Sequence, residues 1–276
     1  MSKVWLITGS ARGVGRQVAE AALSAGEHVV ATARKPERLH ELVERYGDRV
    51  RTLQQDVRDP SAAATAVQTA VDAFGRIDVV LHAARSAEPA VEDFEVDTFR
   101  VPVETKLFGF VYVTQAVLPI LRQRCHGHVI QIQISPAGSR VNYGSFSAHQ
   151  ISKQAVDLFT VEFAGDVAPL GIKVTIVETD GTPCARVETS VSVDRERYNE
   201  SGPDPAQSAH AQDNQEADDP RREAGLLLSV AEMAEPPLRL LLGSEVGQYV
   251  TSAAHALSGF ETNWPNCMSR RTDDCA

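Results

Sequence analysis

Six short, unbroken apolar runs, each followed by a stretch of helical period, constrain this chain more than any other feature. The runs cover residues 4–8, 28–33, 50–55, 77–83, 129–134 and 172–177, and they are rich in Val and Ile. A strand without polar alternation is buried on both faces, as strands of a parallel sheet are. Between them lie amphipathic stretches at 14–24, 36–46, 61–74, 97–124 and 147–167. Strand–helix alternation of this kind predicts repeated βαβ units, hence an α/β fold with a doubly wound parallel sheet. Gly26, Gly47, Gly75 and Gly171 stand where helices should stop, and Pro36 suits a first helical turn. Apolar character returns at 224–234, read as a helix, and at 237–243, read as a last strand.

Between these two regions the composition changes. Residues 188–222 are rich in Asp, Glu, Gln, Asn and Ser, with Pro203, Pro205 and Pro220. This reads either as a solvated excursion or as a mobile lid at about 185–222 over a site. The whole chain, 1–276, is otherwise read as one domain. With 27 Lys and Arg against 37 Asp and Glu, the net charge is −10. That balance disfavours nucleic acid and anionic membrane as partners, because both are themselves negative. Cys125, Cys184, Cys267 and Cys275 have no C-x-x-C spacing and read as reduced thiols of a cytoplasmic protein. The start has no apolar leader, and no apolar stretch is long enough to span a bilayer, so neither a signal peptide nor a membrane helix is expected.

The first run delivers Thr8-Gly9-Ser10-Ala11-Arg12-Gly13-Val14-Gly15 directly into a helix. Glycines there let backbone approach a pyrophosphate, whose charge suits the helix N-terminus. Gly9, Ser10, Arg12, Gly13, Val14 and Gly15 are therefore candidate cofactor residues in a Rossmann-like, single-domain fold. The second run ends at Ala33-Arg34, where an acid would favour NAD and repel a 2′-phosphate. Arg34, with Arg12 beside it, instead matches phosphate geometry, so NADP(H) is the expected cofactor. The remaining histidines lack metal-ligand spacing, and no metal site is expected.

On these residues the chain resembles the short-chain dehydrogenase/reductase family, from Lys3 almost to its C-terminus. The resemblance implies that Asp56 and Val57 contact adenine, and that Ala83 and Thr182 line the cofactor. It also implies that Lys153 of the Y-x-x-x-K motif serves both catalysis and the nicotinamide ribose. A homodimer or homotetramer packed through the helices at 97–124 and 147–167 is implied too.

The chain departs from the family pattern where chemistry is done. His149 falls in the tyrosine's place, Lys106 in that of the helix asparagine, and His82-Ala83-Ala84-Arg85 in that of N-N-A-G. Ser135 matches the family serine with longer spacing, and Thr179-Asp180-Gly181 stands for P-G-G. His149 lies one helical turn from Lys153, and a neighbouring ammonium disfavours an imidazolium. The expected catalytic set is His149, Lys153 and Ser135, while His82 and Arg85 are candidates for holding a substrate anion. Lys106 is read either as filling the relay water's space or as pairing with Asp180.

Three readings stay open. The first is acid–base chemistry without net redox, such as isomerisation, elimination or cyclisation of a small, secondary-metabolite-like molecule, with NADP(H) retained, vestigial or absent. The second is an NADPH-dependent ketoreductase using His149 as proton donor. The third is a non-catalytic binding or regulatory protein. All three place the ligand at the C-terminal strand ends, where the order reverses near strands one and four.

Overall fold

The computed structural model describes residues 2–84, 96–134, 148–179 and 220–242. In chain order the elements are β1 (Val4–Thr8), α1 (Gly13–Ser24), β2 (His28–Ala33), α2 (His40–Tyr46), β3 (Val50–Gln54), α3 (Pro60–Phe74) and β4 (Val79–His82). They continue with α4 (Val96–Val103), a π turn (Glu104–Phe108), α5 (Gly109–Arg124), β5 (Gly127–Ile134), α6 (Ala148–Val167), β6 (Ile172–Thr179), α7 (Pro220–Glu232) and β7 (Arg239–Leu242). All seven strands run parallel in one sheet of order β3-β2-β1-β4-β5-β6-β7. The doubly wound α/β expectation holds.

Strand alternation sorts the apolar residues into two cores. Trp5, Ile7, Val29, Ala31, Leu81 and Ile130 face one layer, in which Val18 and Leu23 of α1 meet Leu227 of α7. Leu6, Val30, Val80 and Val129 face the other, against Ala66 of α3, Phe110 and Val117 of α5 and Val156 of α6. Each fully buried side chain of this size contributes about 1.5–3 kcal/mol, so both faces hold the sheet strongly.

Helix ends follow local chemistry. The Asp59 carboxylate accepts from the Ser61 N–H at 2.8 Å to cap α3, Pro60 opens the helix, and Gly75 closes it. Two expectations change. Residues 36–46 divide into a short 3₁₀ turn and α2, and 97–124 divides into α4, the π turn and α5. Pro102 inside α4 cannot donate to the carbonyl four residues back, which breaks the regular ladder there. The helix expected from 224 starts at Pro220. The expected lid at about 185–222 falls outside the described residues except for the start of α7.

β1 has β2 on one side and β4 on the other, so the chain winds outward from it in both directions. The crevice above the C-terminal ends of β1 and β4 is where helices of the two layers diverge.

Candidate cofactor and active site

The loop after β1 runs against the backbone leaving β4. A Cβ on Gly9 would lie 2.6 Å from the Ala83 carbonyl oxygen and 2.8 Å from the Ala84 Cα, and one on Gly15 would lie 2.7 Å from the Gly9 oxygen. Gly13 is demanded for a different reason. Its φ is 62°, but nothing lies within 4 Å of where its Cβ would be. Ser10 ties the loop down, its N–H donating to the Thr32 carbonyl at 2.9 Å and its hydroxyl to the Ile7 carbonyl at 2.8 Å. Ala83 is held by its N–H on the Thr8 hydroxyl at 3.3 Å.

Arg12 is the N-cap of α1 and makes no side-chain cap, and the first turn carries no acid. Among the described residues no side chain caps the opening N–H groups of α1, which lie beside the open space at Gly13 and above buried Val14. This arrangement fits the diphosphate of the dinucleotide that the sequence implies.

On the far side of β1, Arg34 is exposed at the end of β2. Asp56 accepts from Arg58 through Nη2 at 2.5 Å and Nε at 3.0 Å, as well as from the Arg58 backbone N–H. That grip, aided by the charge of Arg34, holds the Asp56 carboxyl below its usual range. The resemblance assigns Asp56 to adenine, and in the structure each of its oxygens accepts from Arg58 and keeps a further lone pair. Val57 is buried under Gly109, whose Cβ would sit 2.7 Å from a Val57 methyl.

Across the crevice, α6 carries Lys153. Its Nζ donates to Glu178 Oε2 of β6 at 3.1 Å, and both side chains are about nine-tenths buried, at 11% and 9% exposure. Glu178 also accepts from Arg239 of β7 at 3.3 Å. Arg239 in turn donates to Asp157 of α6 at 2.5 Å, and Gln133 Nε2 reaches Asp157 at 3.5 Å. His149 lies on the first turn of the same helix, four residues before Lys153, and its side chain is outside the described residues. Ser135, Thr182, Arg85 and Asp180 are outside them as well. Lys106 sits in the π turn.

His82 requires a correction. It was a candidate for holding a substrate anion, but it is 5% exposed at the end of β4, edge-on to Phe110 at 4.4 Å. Burial pushes its imidazole down to about 3, so it is neutral and has no positive charge to offer. Glu178, Asp157, Arg239 and Arg58 escaped the sequence reading. An acid directly after the apolar run 172–177 was the available signal for Glu178; the pairing of Arg239 with α6 had none, since 82 residues separate it from Asp157.

Comparison with known proteins gives a consistent picture. The family pattern described as short chain dehydrogenase matches residues 3–194. An oxidoreductase, BOA17, of Botryotinia fuckeliana is 42% identical over 268 residues, covering 96% of this chain and 97% of that protein. The NADP-dependent 3-hydroxy acid dehydrogenase YdfG of Escherichia coli strain K12 is 32% identical over 176 residues, covering 63% and 70%. Among solved structures, a short-chain dehydrogenase from Streptomyces avermitilis superposes with TM-score 0.77 at 31% identity, covering 96% of each chain.

Proposed function

The chain belongs to the short-chain dehydrogenase family, and on that premise we propose that it is an NADP(H)-dependent oxidoreductase of a small carbonyl or hydroxyl compound, with His149 and Lys153 handling the proton. The observation that carries the cofactor half is the α1 N-terminus, which its N-cap residue Arg12 leaves uncapped and which glycine backbone borders at the switch point. Gly9, Gly13, Val14 and Gly15 would hold the diphosphate, Arg12 and Arg34 the 2′-phosphate, and Ala83 with Lys153 the nicotinamide end. The NADP-dependent name of the 32% identical relative supports the same choice. NADPH, when bound, supplies the hydride of the reaction.

The protein's own residues then manage the substrate oxygen. In reduction, His149 gives a proton to the oxygen as the carbonyl carbon is reduced; in oxidation it takes that proton back. Lys153, one turn along, orients the ribose and the proton path, and Ser135 donates to the substrate oxygen. The non-redox reading drew its support from an ammonium keeping His149 a base. Glu178 lies 3.1 Å from that ammonium and offsets its charge, so the neighbouring cation no longer selects base-only chemistry. Reduction with proton donation is therefore the reading we adopt.

The subunits associate, on this proposal, through the α4–α5 and α6 helices. Val101, Phe108, Ile151 and Leu158 are exposed on these elements, Leu158 at 64%. Isolated exposed apolar residues are ordinary, but four on adjoining helices suit a buried homo-oligomer face.

The test is NADPH oxidation against a panel of small ketones and aldehydes. His149→Ala should lower turnover roughly a hundred- to ten-thousandfold while NADPH affinity stays near wild type. His149→Tyr, which restores the family's donor, should keep or raise turnover. Full activity in His149→Ala would sink the assignment of the proton to this residue.

A further inference from the structure

We infer that Glu178 is a positioning residue for Lys153: its carboxylate fixes where the lysine ammonium lies and is shared with Arg239. This rests on the reading that Lys153 belongs to the site. Four charges across three elements are joined by three contacts, and the backbone of α6 completes the ring. Lys153 donates to Glu178 at 3.1 Å, Glu178 accepts from Arg239 at 3.3 Å, and Arg239 pairs with Asp157 at 2.5 Å. Lys153 and Asp157 are four residues apart on α6, so the ring returns to the turn from which it starts. The charges of these four alternate, so each member of the inner pair has an opposite charge beside it.

The two halves of the ring differ in exposure. Lys153 and Glu178 are 11% and 9% exposed, whereas Asp157 and Arg239 are 30% and 42% exposed. The outer pair anchors the ring where water can reach it, and the inner pair faces the interior. Glu178 is the shared member, because its Oε2 meets Lys153 and its Oε1 meets Arg239. The fork of Arg239 grips Asp157, through Nη1 at 2.9 Å and Nη2 at 2.5 Å, and gives Glu178 one contact; the Glu178 carboxylate sets the direction of a lysine whose stem has several rotatable bonds. β6 and β7 are registered with Glu178 beside Leu241, so the two strands carry this geometry to α6 as one unit. A lone lysine could meet its ligand from many rotamers; the contact to Glu178 Oε2 restricts it.

The ring predicts opposite responses at its two ends. Glu178→Gln releases the ammonium from its carboxylate. Arg239→Gln removes the competitor for that carboxylate and leaves it wholly to Lys153. Trace acylation with acetic anhydride, read at Lys153 by peptide mass spectrometry on the full chain without cofactor, reports the difference. Lys153 should react about threefold faster or more in Glu178→Gln, and no faster than wild type in Arg239→Gln. A general loosening of α6 would raise the rate in both, and that result overturns the inference, as does an unchanged rate in Glu178→Gln. If Glu178→Gln does not fold, Glu178→Asp, whose carboxylate is withdrawn by one methylene, should show the same rise. Calorimetry with NADPH completes the test, with Lys153→Met as reference. Weakening in both Lys153→Met and Glu178→Gln supports the positioning role; weakening in Lys153→Met alone overturns it. No effect of Lys153→Met, or no NADPH binding by wild type, overturns instead the proposed function on which the role depends.

Discussion

The two halves of the sheet handle polarity in different ways. In the β1–β3 half, buried hydroxyls are spent on nearby backbone: Ser10 on Ile7 at 2.8 Å and Thr32 on Ile7 at 3.4 Å. What that half presents to a ligand is glycine backbone and the opening of α1. In the β4–β7 half, long polar side chains point inward from the strands and the helices above them. Among the described residues both halves bury polar atoms without a hydrogen-bond partner: Trp5 Nε1 and both amide atoms of Gln55 in the first, and His82 Nε2, Thr114 Oγ1, His128 Nδ1, Gln131 Oε1 and Gln133 Oε1 in the second. His82 and Gln131 are direct cross-strand neighbours, and so are Gln133 and Glu178. One half binds through main chain that needs only the right turn; the other adds a buried ion pair, Lys153 with Glu178, which costs desolvation and is kept where a site needs it.

The sharpest way to break this comparison is acid. The imidazoles of His82 and His128 are pushed by burial down to about 3 and about 4 from an ordinary 6.5. Below pH 6.5 the unfolded chain takes up protons that the folded chain refuses, so folding stability falls as pH falls through that window. By pH 4.5 each histidine should have cost about 2–3 kcal/mol, since one unit corresponds to about 1.4 kcal/mol. Denaturant titrations from pH 7 to 4.5 should show that loss, and His82→Leu should flatten the slope. An unchanged slope would place His82 in a wetter setting than its burial implies.

A smaller effect separates the two kinds of glycine in the other half. Gly9→Ala sets a Cβ 2.6 Å from a carbonyl oxygen at φ 71°, whereas Gly13→Ala meets only the φ cost. Thermal or denaturant unfolding should show a loss of about 2–4 kcal/mol for the first and about 1 kcal/mol for the second. Gly13→Ala should nevertheless weaken NADPH binding, because its added methyl enters the space beside the α1 N-terminus. Equal destabilisation by both would erase the distinction. The smallest expected change is at Arg34. Its alanine variant should lose about tenfold of the preference for NADPH over NADH in calorimetry, the scale of one charge-assisted phosphate contact. Equal affinities in wild type would remove the role given to Arg34.

Much of this molecule was legible because it is local. The limits of β1 and β2 match the apolar runs that mark them, since a buried parallel strand declares itself within a few residues. Gly26, Gly47, Gly75 and Gly171 all take positive φ, as their place after helices anticipates. Errors arose where one local signal competed with another. The amphipathic pattern of 97–124 is continuous, yet Pro102 and the π turn interrupt the helix, because periodicity registers side chains and not backbone donors.

The sequence by itself determined the winding of the sheet, the β1–α1 glycine loop and the placing of Lys153 one turn beyond His149. Each follows from residues within a strand, a turn or a helix of one another, where steric and hydrogen-bonding rules act directly. Only the tertiary structure decided the charge state of the site's surroundings. It buried His82 against Phe110, brought Glu178 of β6 to Lys153, and brought Arg239 of β7 to Glu178 and Asp157. Desolvation and ion pairing depend on what lies within a few ångströms in space, and in a parallel sheet those neighbours come from segments far apart in the chain.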